Sequence, residues 1–256
     1  MYGQSPGSNI GLELSTLIGL KVACINCNAT LIAKRTVLYC NHCKKLYGQN
    51  SYGVWILRQD KPANLPSFYR DDKYLKWLEV FENNEVFKWT IYKNTFRRFF
   101  SQAGHRKIGK KLSDIGSKEK VVLEIGAGFG ELLNHLTVKT YIGIDNSEKA
   151  LTVLKKKFPN AIAICTTGVN LPFKECSFDN VISLHTLEHI YLLAEHIENV
   201  QKVLNYGGKY FFVIPTEGGL AFSLGRLLFS GRDAKKKYGV DASYIMNIEH
   251  INDAHR

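Results

Sequence analysis

The stretch Val121-Val-Leu-Glu-Ile-Gly126-Ala-Gly128-Phe-Gly130 decides the fold of this 256-residue chain. Its first five residues are mostly apolar and β-branched, which is typical of a buried strand. The glycines that follow predict a tight turn in which the backbone approaches a ligand closely. A helix is expected to follow over residues 131–136, with its N-terminal N–H groups facing a polar or anionic ligand.

A second strand is predicted at Tyr141-Ile-Gly-Ile144, and it ends in Asp145. A carboxylate at the end of this strand can accept hydrogen bonds from both hydroxyls of a ribose. Dinucleotide enzymes favour the spacing G-x-G-x-x-G, whereas Glu131 occupies the third glycine position here. The spacing therefore argues against an NAD-dependent oxidoreductase.

Two downstream segments extend the pattern. The first runs from Leu171-Pro-Phe173 through Phe178-Asp-Asn-Val-Ile-Ser-Leu184 to His185-Thr-Leu-Glu-His189, and the second is Val203-Leu-Asn-Tyr-Gly-Gly-Lys-Tyr-Phe-Phe-Val-Ile-Pro215. Together with Glu124-x-Gly126-x-Gly128-x-Gly130, they resemble the class I S-adenosylmethionine (SAM) dependent methyltransferases, and most closely the broad type 11 branch. The resemblance covers roughly residues 108–215. It implies an α/β, Rossmann-like fold with a mostly parallel sheet, and SAM as the cofactor.

The resemblance also implies which residues bind SAM. They lie on the turn, at the end of the second strand, in the loop before Leu171 and after the fourth strand: Glu124, Gly126, Ala127, Gly128, Gly130, Asp145, Asn146, Thr167, Gly168, Val169 and His185. One position departs from the family, which usually has an acidic residue where Thr167 stands, to bind the adenine amino group. A threonine hydroxyl accepts a hydrogen bond without charge, so we expect weakened rather than abolished binding.

Two histidines are candidate catalytic residues. The methyl group of a sulfonium is already electrophilic, so a general base is needed only when the acceptor is protonated. His185 and His189 follow the fourth strand, beside the expected position of the methyl group, and either one is a candidate acceptor-facing base. The alternative, which we favour, is that Glu188 and His189 shape the loop and cap the next helix.

Four cysteines predict a metal site near the N-terminus. Cys24 and Cys27 form one C-x₂-C knuckle and Cys40 and Cys43 form a second, so that four thiolates complete a tetrahedron around structural Zn²⁺. The module resembles the small zinc-binding activator subunit of tRNA and translation-factor methyltransferases, here fused in cis. A zinc ribbon before a SAM domain also resembles the ribosomal RNA guanine-N1 methyltransferases. Neither resemblance fixes the substrate.

Changes in composition divide the chain into four parts. Residues 1–20 are expected to be loose, 21–60 to form the zinc-ribbon module, 61–115 a linker and a basic, aromatic helical segment, and 116–256 the SAM-binding domain. The strands that normally complete this sheet are expected to be missing at the C-terminus, which leaves an edge for a partner chain or a second copy. No signal peptide or membrane span is predicted, and the expected location is the cytoplasm.

Charge is the one compositional clue to the methyl acceptor. Residues 1–120 hold 20 Lys and Arg against 9 Asp and Glu, whereas the rest of the chain is balanced at 14 against 14. A basic surface attracts polyanions, so the charge and the ribbon favour ribosomal or transfer RNA. The diversity of the type 11 branch and the absence of a base-selecting signature favour a small molecule, such as a sugar or lipid precursor. We lean toward the small molecule, because charge alone is weak evidence. A third hypothesis is a non-catalytic partner protein with the SAM fold.

Overall fold

The computed structural model describes residues 10–59, 103–190 and 192–214, and elements are numbered within those ranges. The chain starts with helix α1 (Ile10–Gly19). An antiparallel sheet in the order β1-β2-β3 follows: β1 (Leu31–Lys34), β2 (Val37–Cys40) and β3 (Leu46–Tyr47). The β1–β2 hairpin carries one cysteine knuckle before it and one after it, which is the arrangement predicted for a zinc ribbon.

The second sheet has six strands: β4 (Trp55–Ile56), β5 (Val121–Ile125), β6 (Thr140–Asp145), β7 (Ile162–Cys165), β8 (Phe178–Leu184) and β9 (Leu204–Val213). Their order is β4-β7-β6-β5-β8-β9, and every pairing between neighbours is parallel. Three further helices are α2 (Ala103–Asp114), α3 (Glu148–Lys157) and α4 (Leu193–Val203), and Leu187–His189 is a short 3-10 helix. The predicted α/β, Rossmann-like fold with a mostly parallel sheet is confirmed. Among the helices described, none is long and apolar enough to cross a membrane.

The ribbon module and the main sheet share one apolar core. Leu31, Leu38 and Trp55 from the N-terminal part pack in the same cluster as Leu123 and Ile142 from β5 and β6. Trp55 belongs to β4, which extends the main sheet beyond β7 and pairs with Ile164. The last strand of the N-terminal part is therefore an edge strand of the SAM domain, which the sequence did not reveal.

The expectation of a loose N-terminus is wrong for residues 10–19, which form α1. Leu14 and Leu17 are buried one turn apart on one face of this helix, as an amphipathic helix requires. Glu13 is also buried, and its carboxylate lies 2.7 Å from the Lys155 ammonium of α3. A charge buried against an opposite charge fixes the helix on the SAM domain. Residues 1–9 lie outside the described residues.

The helix expected over residues 131–136 is also wrong, because Glu131–Asn134 is a short 3-10 helix. Helix α2 packs directly on His135, the residue that ends this 3-10 helix. A Cβ added at Gly109 of α2 would lie 2.3 Å from the His135 carbonyl oxygen. This close contact occupies the space that a longer helix would need. The expectations for residues 61–102 and for missing strands after β9 concern residues outside those described.

Candidate functional site

The glycine turn after β5 has the backbone conformation that its glycines predict. Gly126, Gly128 and Gly130 all have positive φ, at 74°, 49° and 75°. A Cβ added at Gly126 would lie 2.1 Å from Thr186 Oγ1, so only glycine fits beside the segment that follows β8. At Gly128 nothing lies within 4 Å of such a Cβ, which leaves open space above the turn. The turn thus offers both an exposed backbone and room for a ligand.

Asp145 closes the turn from the neighbouring strand. Its Oδ2 accepts a hydrogen bond from Gly128 N at 2.9 Å, and its Oδ1 accepts one from Ser147 N at 2.8 Å. Burial raises the pKa of Asp145, and these backbone N–H groups oppose the rise. A carboxylate offers about four acceptor positions, which is more than these backbone donors occupy.

Glu124 lies behind the turn rather than in the cleft. It is 2% exposed, and its carboxyl group accepts a hydrogen bond from the Tyr141 hydroxyl. Burial raises the pKa of Glu124 to about 8, against the opposing effect of Tyr141. Its contact with the cofactor stays a prediction, and its visible role is to tie β5 to β6.

The loop after β7 carries the predicted adenine-side residues Thr167, Gly168 and Val169. Thr166 N donates to Asp145 O at 3.0 Å, which fastens the start of the loop to β6. Thr166 Oγ1 is buried and has no hydrogen-bond partner within the described part of the chain. Buried polar groups are rarely left unpaired, so this hydroxyl is consistent with a site that receives a ligand or water.

Two residues of α4 hold this loop from the other side. His196 Nδ1 donates to the Gly168 carbonyl oxygen at 2.6 Å, and Asn199 Nδ2 donates to the Val169 carbonyl oxygen at 3.0 Å. The Tyr210 hydroxyl lies 2.9 Å from His196 Nε2 and 2.9 Å from Ser183 Oγ. Desolvation lowers the pKa of His196, although the bond to Gly168 opposes this.

Sequence reasoning missed His196 and Asn199, because nothing in the sequence shows which residues of a helix meet a distant loop. One sequence signal could have found His196: it has helical spacing with apolar residues of the same helix, which predicts a buried position. Its neighbours on that face, Val200 and Val203, are both buried.

The two candidate bases differ in their surroundings. His185 has a left-handed backbone with φ 53°, and its backbone N–H donates to the Val213 carbonyl oxygen at 2.9 Å. Strained backbone of this kind occurs preferentially at functional sites. Desolvation lowers the pKa of His185, so the imidazole is neutral at pH 7. The ring centroid of His105, in α2, lies 6.2 Å from the ring centroid of His185.

His189 instead belongs to the 3-10 helix after His185. Its ring Nε2 lies 3.9 Å from Glu188 Oε1, and its backbone N–H donates to the Thr186 carbonyl oxygen at 2.9 Å. These contacts support the prediction that Glu188 and His189 shape this segment, although α4 itself begins only at Leu193. The catalytic role of either histidine stays a prediction.

The four predicted zinc ligands form a cluster in the ribbon. The sulfur atoms of Cys24, Cys27, Cys40 and Cys43 all lie within 4.8 Å of one another. Cys24 Sγ is 3.5 Å from Cys43 Sγ, and Cys27 Sγ is 3.4 Å from Cys40 Sγ. Sulfur atoms at the corners of a tetrahedron with Zn–S bonds of about 2.3 Å are about 3.8 Å apart, so the cluster suits Zn²⁺.

Both groups implied by the sequence fit the residues that are present. Within the described part of the chain, the metal-ligand cluster consists of four thiols, which is the donor set of a closed structural zinc site. For SAM, the open space at Gly128, the Asp145 carboxylate and the unpaired Thr166 hydroxyl offer room, an acceptor for hydroxyl groups and a buried polar contact. All three lie at the carboxyl edge of parallel strands, where such sheets bind ligands.

A model of the methyltransferase domain family matches residues 123–212. An uncharacterised protein of Methanocaldococcus jannaschii is 33% identical over 104 residues, which are 40% of this chain and 44% of that protein. A probable S-adenosylmethionine-dependent methyltransferase of Mycolicibacterium smegmatis is 25% identical over 134 residues, 51% of this chain and 48% of that one. The chain thus spans about half the length of these relatives.

A solved structure from Thermotoga maritima, described as a SAM-dependent methyltransferase and possible histamine N-methyltransferase, is similar at 19% identity. The TM-score is 0.43, and the aligned part covers 67% of this chain and 78% of the Thermotoga chain. The matched residues 123–212 run from the middle of β5 almost to the end of β9 and contain the glycine turn, Asp145 and His185. Over this part the chain is similar to methyltransferase domains, among them proteins described as SAM-dependent.

Proposed function

We propose that this protein binds SAM at the carboxyl edge of the six-stranded sheet and transfers its methyl group to an acceptor. The observation that carries the proposal is the position of Asp145, whose carboxylate is held against the glycine turn by Gly128 N at 2.9 Å. This arrangement puts a carboxylate with remaining acceptor capacity beside an open backbone turn. The ribose of a nucleoside cofactor has the two hydroxyl donors that such a carboxylate accepts.

The remaining predicted residues would surround the rest of the cofactor. Asn146 and the loop of Thr167, Gly168 and Val169 would flank the adenine, and the turn from Gly126 to Gly130 would face the amino acid part. When bound, SAM supplies a methyl group on a positively charged sulfur. The protein then has to orient the acceptor and exclude water, which are entropic and solvation effects rather than covalent ones.

We favour a small molecule as the acceptor, and His185 as the group that receives its proton. The imidazole is neutral because desolvation lowers its pKa, so it is ready to accept a proton. It stands directly after β8, and Gly104 of α2 approaches it closely: a Cβ there would be 3.6 Å from His185 Nε2. The contact with α2 supports an acceptor site that is partly covered.

RNA is the second candidate acceptor, and one observation favours it. Helix α2 carries Arg106, Lys107, Lys110 and Lys111, and all three lysines are exposed. The same helix lies beside His185, with the His105 ring centroid 6.2 Å from that of His185, so a polyanion bound along α2 would lie next to the candidate acceptor site. Basic side chains on one helix provide the electrostatic part of RNA binding without base selection.

Zinc in the cysteine cluster completes the proposal as a structural ion. The small ribbon sheet has strands of only four, four and two residues, which provide little core of their own. A partner chain or a second copy at the sheet edge stays a prediction. Among the described strands β9 lies at that edge, where Phe212 is exposed.

The proposal is tested by calorimetric titration of SAM into the zinc-loaded protein. We expect micromolar-range binding by the wild type, loss of binding in Asp145→Ala, and unchanged binding in Asp114→Ala, which removes an exposed carboxylate from α2. Loss of affinity in both variants would contradict a specific ribose contact. A folded wild-type protein without any affinity for SAM would favour the non-catalytic partner.

The two acceptor classes are separated by binding of transfer RNA at several salt concentrations. A small-molecule enzyme is expected to bind RNA weakly and without effect on SAM affinity. A steep decrease of RNA affinity with salt, together with loss of that affinity in the Lys107→Glu, Lys110→Glu double variant, would reverse our preference.

A further inference from the structure

Arg58 follows the edge strand β4 and reaches the carboxyl end of the main sheet. Ile56 is paired with Cys165 in the register of β4 and β7, and Leu57 N donates to Cys165 O at 2.9 Å. The next residue, Arg58, therefore stands where β6 and β7 end. This is the edge at which Asp145 and the loop of Thr167 lie.

The Arg58 guanidinium joins the ends of these two strands. Its Nε and Nη2 donate to Cys165 Sγ at 3.2 and 3.0 Å, and Nη2 also donates to the Asn146 carbonyl oxygen at 3.3 Å. The Cys165 thiol is fully buried and lies 3.5 Å from the same carbonyl oxygen. Arg58, Cys165 and Asn146 thus form a closed triangle of polar contacts.

The triangle lies next to the predicted cofactor site. Asn146 directly follows Asp145, and Cys165 is separated from Thr167 by one residue. Backbone pairing already fixes the spacing of the two strand ends, and the guanidinium adds a side-chain contact to the Asn146 carbonyl oxygen and to Cys165 Sγ. Because the guanidinium is a rigid planar fork, it fixes both partners at once, which a flexible ammonium cannot do.

The ribbon module holds Arg58 in place. In the loop before β4, Asn50 Nδ2 donates to Glu148 Oε1 at 2.8 Å, at the start of α3. Asn50 Oδ1 accepts from Val54 N at 3.0 Å, which fixes the loop that leads into β4. Glu148 in turn lies 3.9 Å from Arg58 Nη2.

We infer that Arg58 is a positioning residue for the adenosine half of the cofactor, supplied to the methyltransferase site by the N-terminal module. The inference rests on the proposed binding of SAM. The Arg58 side chain is 53% exposed. An exposed pair of this kind contributes little to stability. Its effect therefore falls on the geometry of the Asn146 and Cys165 backbone, and so on cofactor affinity.

The test measures the dissociation constants of SAM and of S-adenosylhomocysteine for Arg58→Ala and Arg58→Lys by calorimetry. We expect both ligands to bind about 10-fold more weakly to Arg58→Ala, because they share the adenosine. Arg58→Lys keeps the charge but not the fork, and we expect it to restore less than half of the loss in binding free energy. The binding stoichiometry and the melting temperature are expected to stay at wild-type values. Partial unfolding of the variant would lower both.

The matched control is Arg35→Gly, which removes an exposed ribbon arginine at a turn whose φ of 57° glycine adopts freely. We expect it to bind SAM as the wild type does. A double-mutant cycle with Cys165→Ala adds a second test. If the two residues act as a unit, the double variant should bind SAM no more weakly than the single variant with the lower affinity. If they act independently, the fold-losses in SAM affinity of the two single variants should multiply.

The outcomes separate this inference from the proposed function. Wild-type binding that is lost in Asp145→Ala but unchanged in Arg58→Ala overturns the role of Arg58 and leaves the methyltransferase proposal intact. Equal weakening by Arg58→Ala and Arg35→Gly shows a general charge effect and also overturns it. A wild type that does not bind SAM contradicts both.

Discussion

The ribbon and the methyltransferase domain are stabilised in different ways, although they share one core. The ribbon sheet has ten residues in three strands, and the four thiols of its two knuckles lie within 4.8 Å of one another. The main sheet instead has buried apolar strands: β5, β6 and β7 contribute Leu123, Ile142 and Ile164, each with no exposed surface. We therefore expect the smaller region to depend on a bound ion and the larger one on apolar burial.

The largest expected effect comes from removing a zinc ligand. Cys40 is buried, so Cys40→Ser should release the ion and unfold the ribbon, with loss of most of the roughly 10 kcal/mol that structural zinc contributes to such modules. Because Trp55 belongs to the shared core, the SAM domain should also melt at a lower temperature. Zinc content and thermal unfolding measure both changes.

The control for this variant is Cys176→Ser, which changes an exposed cysteine outside the cluster. It is expected to leave the zinc content and the melting temperature unchanged. A ribbon that keeps its melting behaviour after removal of zinc by a chelator would show that the apolar core is sufficient, and the contrast between the two regions would disappear.

The next effect concerns the ion pair that connects the two regions. Glu13→Ala leaves the buried Lys155 ammonium without its partner carboxylate, and removes the acceptor for Trp55 Nε1 at 3.0 Å. Breaking one side of a buried pair typically costs about 3 to 5 kcal/mol. The free energy of unfolding in urea should therefore decrease strongly, while Glu119→Ala, at an exposed position, should change it by less than about 0.5 kcal/mol.

A second variant distinguishes the loss of pairing from the loss of volume. In Glu13→Leu with Lys155→Met, both charges are replaced by apolar groups. We expect only part of the stability to return, because Trp55 Nε1 still lacks its acceptor. If this double variant is as unstable as Glu13→Ala, the hydrogen bonds from Trp55 and Gln49 to Glu13 matter more than the ion pair.

A pH-dependent effect is expected within the main sheet, at Glu124. Its pKa is about 8 in the native protein and 4.5 in the unfolded chain, so the native state holds a proton that the unfolded state releases between these values. Wild-type stability should therefore fall as the pH rises from 4.5 to 8. Glu124→Gln removes this dependence and should stabilise the protein by about 4 kcal/mol at pH 8 and by almost nothing near pH 4.5.

Thermal unfolding of wild type and Glu124→Gln at several pH values measures this difference. A constant difference across the whole range would mean that Glu124 is ionised in the native protein. The Tyr141 hydrogen bond, rather than burial, would then control its protonation.

The smallest effect separates backbone strain from steric contact at the glycine turn. Gly116 and Gly126 have nearly the same φ, 73° and 74°, but only Gly126 has close neighbours, in Thr186. Gly116→Ala should therefore cost about 1 kcal/mol from strain alone, and Gly126→Ala about 2 to 3 kcal/mol because the clash is added. Chemical denaturation measures both, and equal losses would show that Thr186 moves aside.

The sequence alone predicted the parallel sheet, the glycine turn, Asp145 at the end of β6 and the four clustered cysteines. These features depend on short, local patterns: buried strands are apolar and β-branched, tight turns need glycine, and C-x₂-C spacing presents two thiolates to one ion. Such patterns are visible within a few residues and do not depend on the rest of the fold.

Only the tertiary structure decided which distant residues meet. Glu13 pairs with Lys155 across 142 positions, Arg58 bonds Cys165 across 107, and His196 bonds the Gly168 loop. The addition of β4 to the sheet and the shortened helix after Gly130 have the same origin, since both depend on packing with residues far away in the chain. Long-range hydrogen bonds and close packing leave no periodic or local trace in a sequence, so they are found only once the chain has folded.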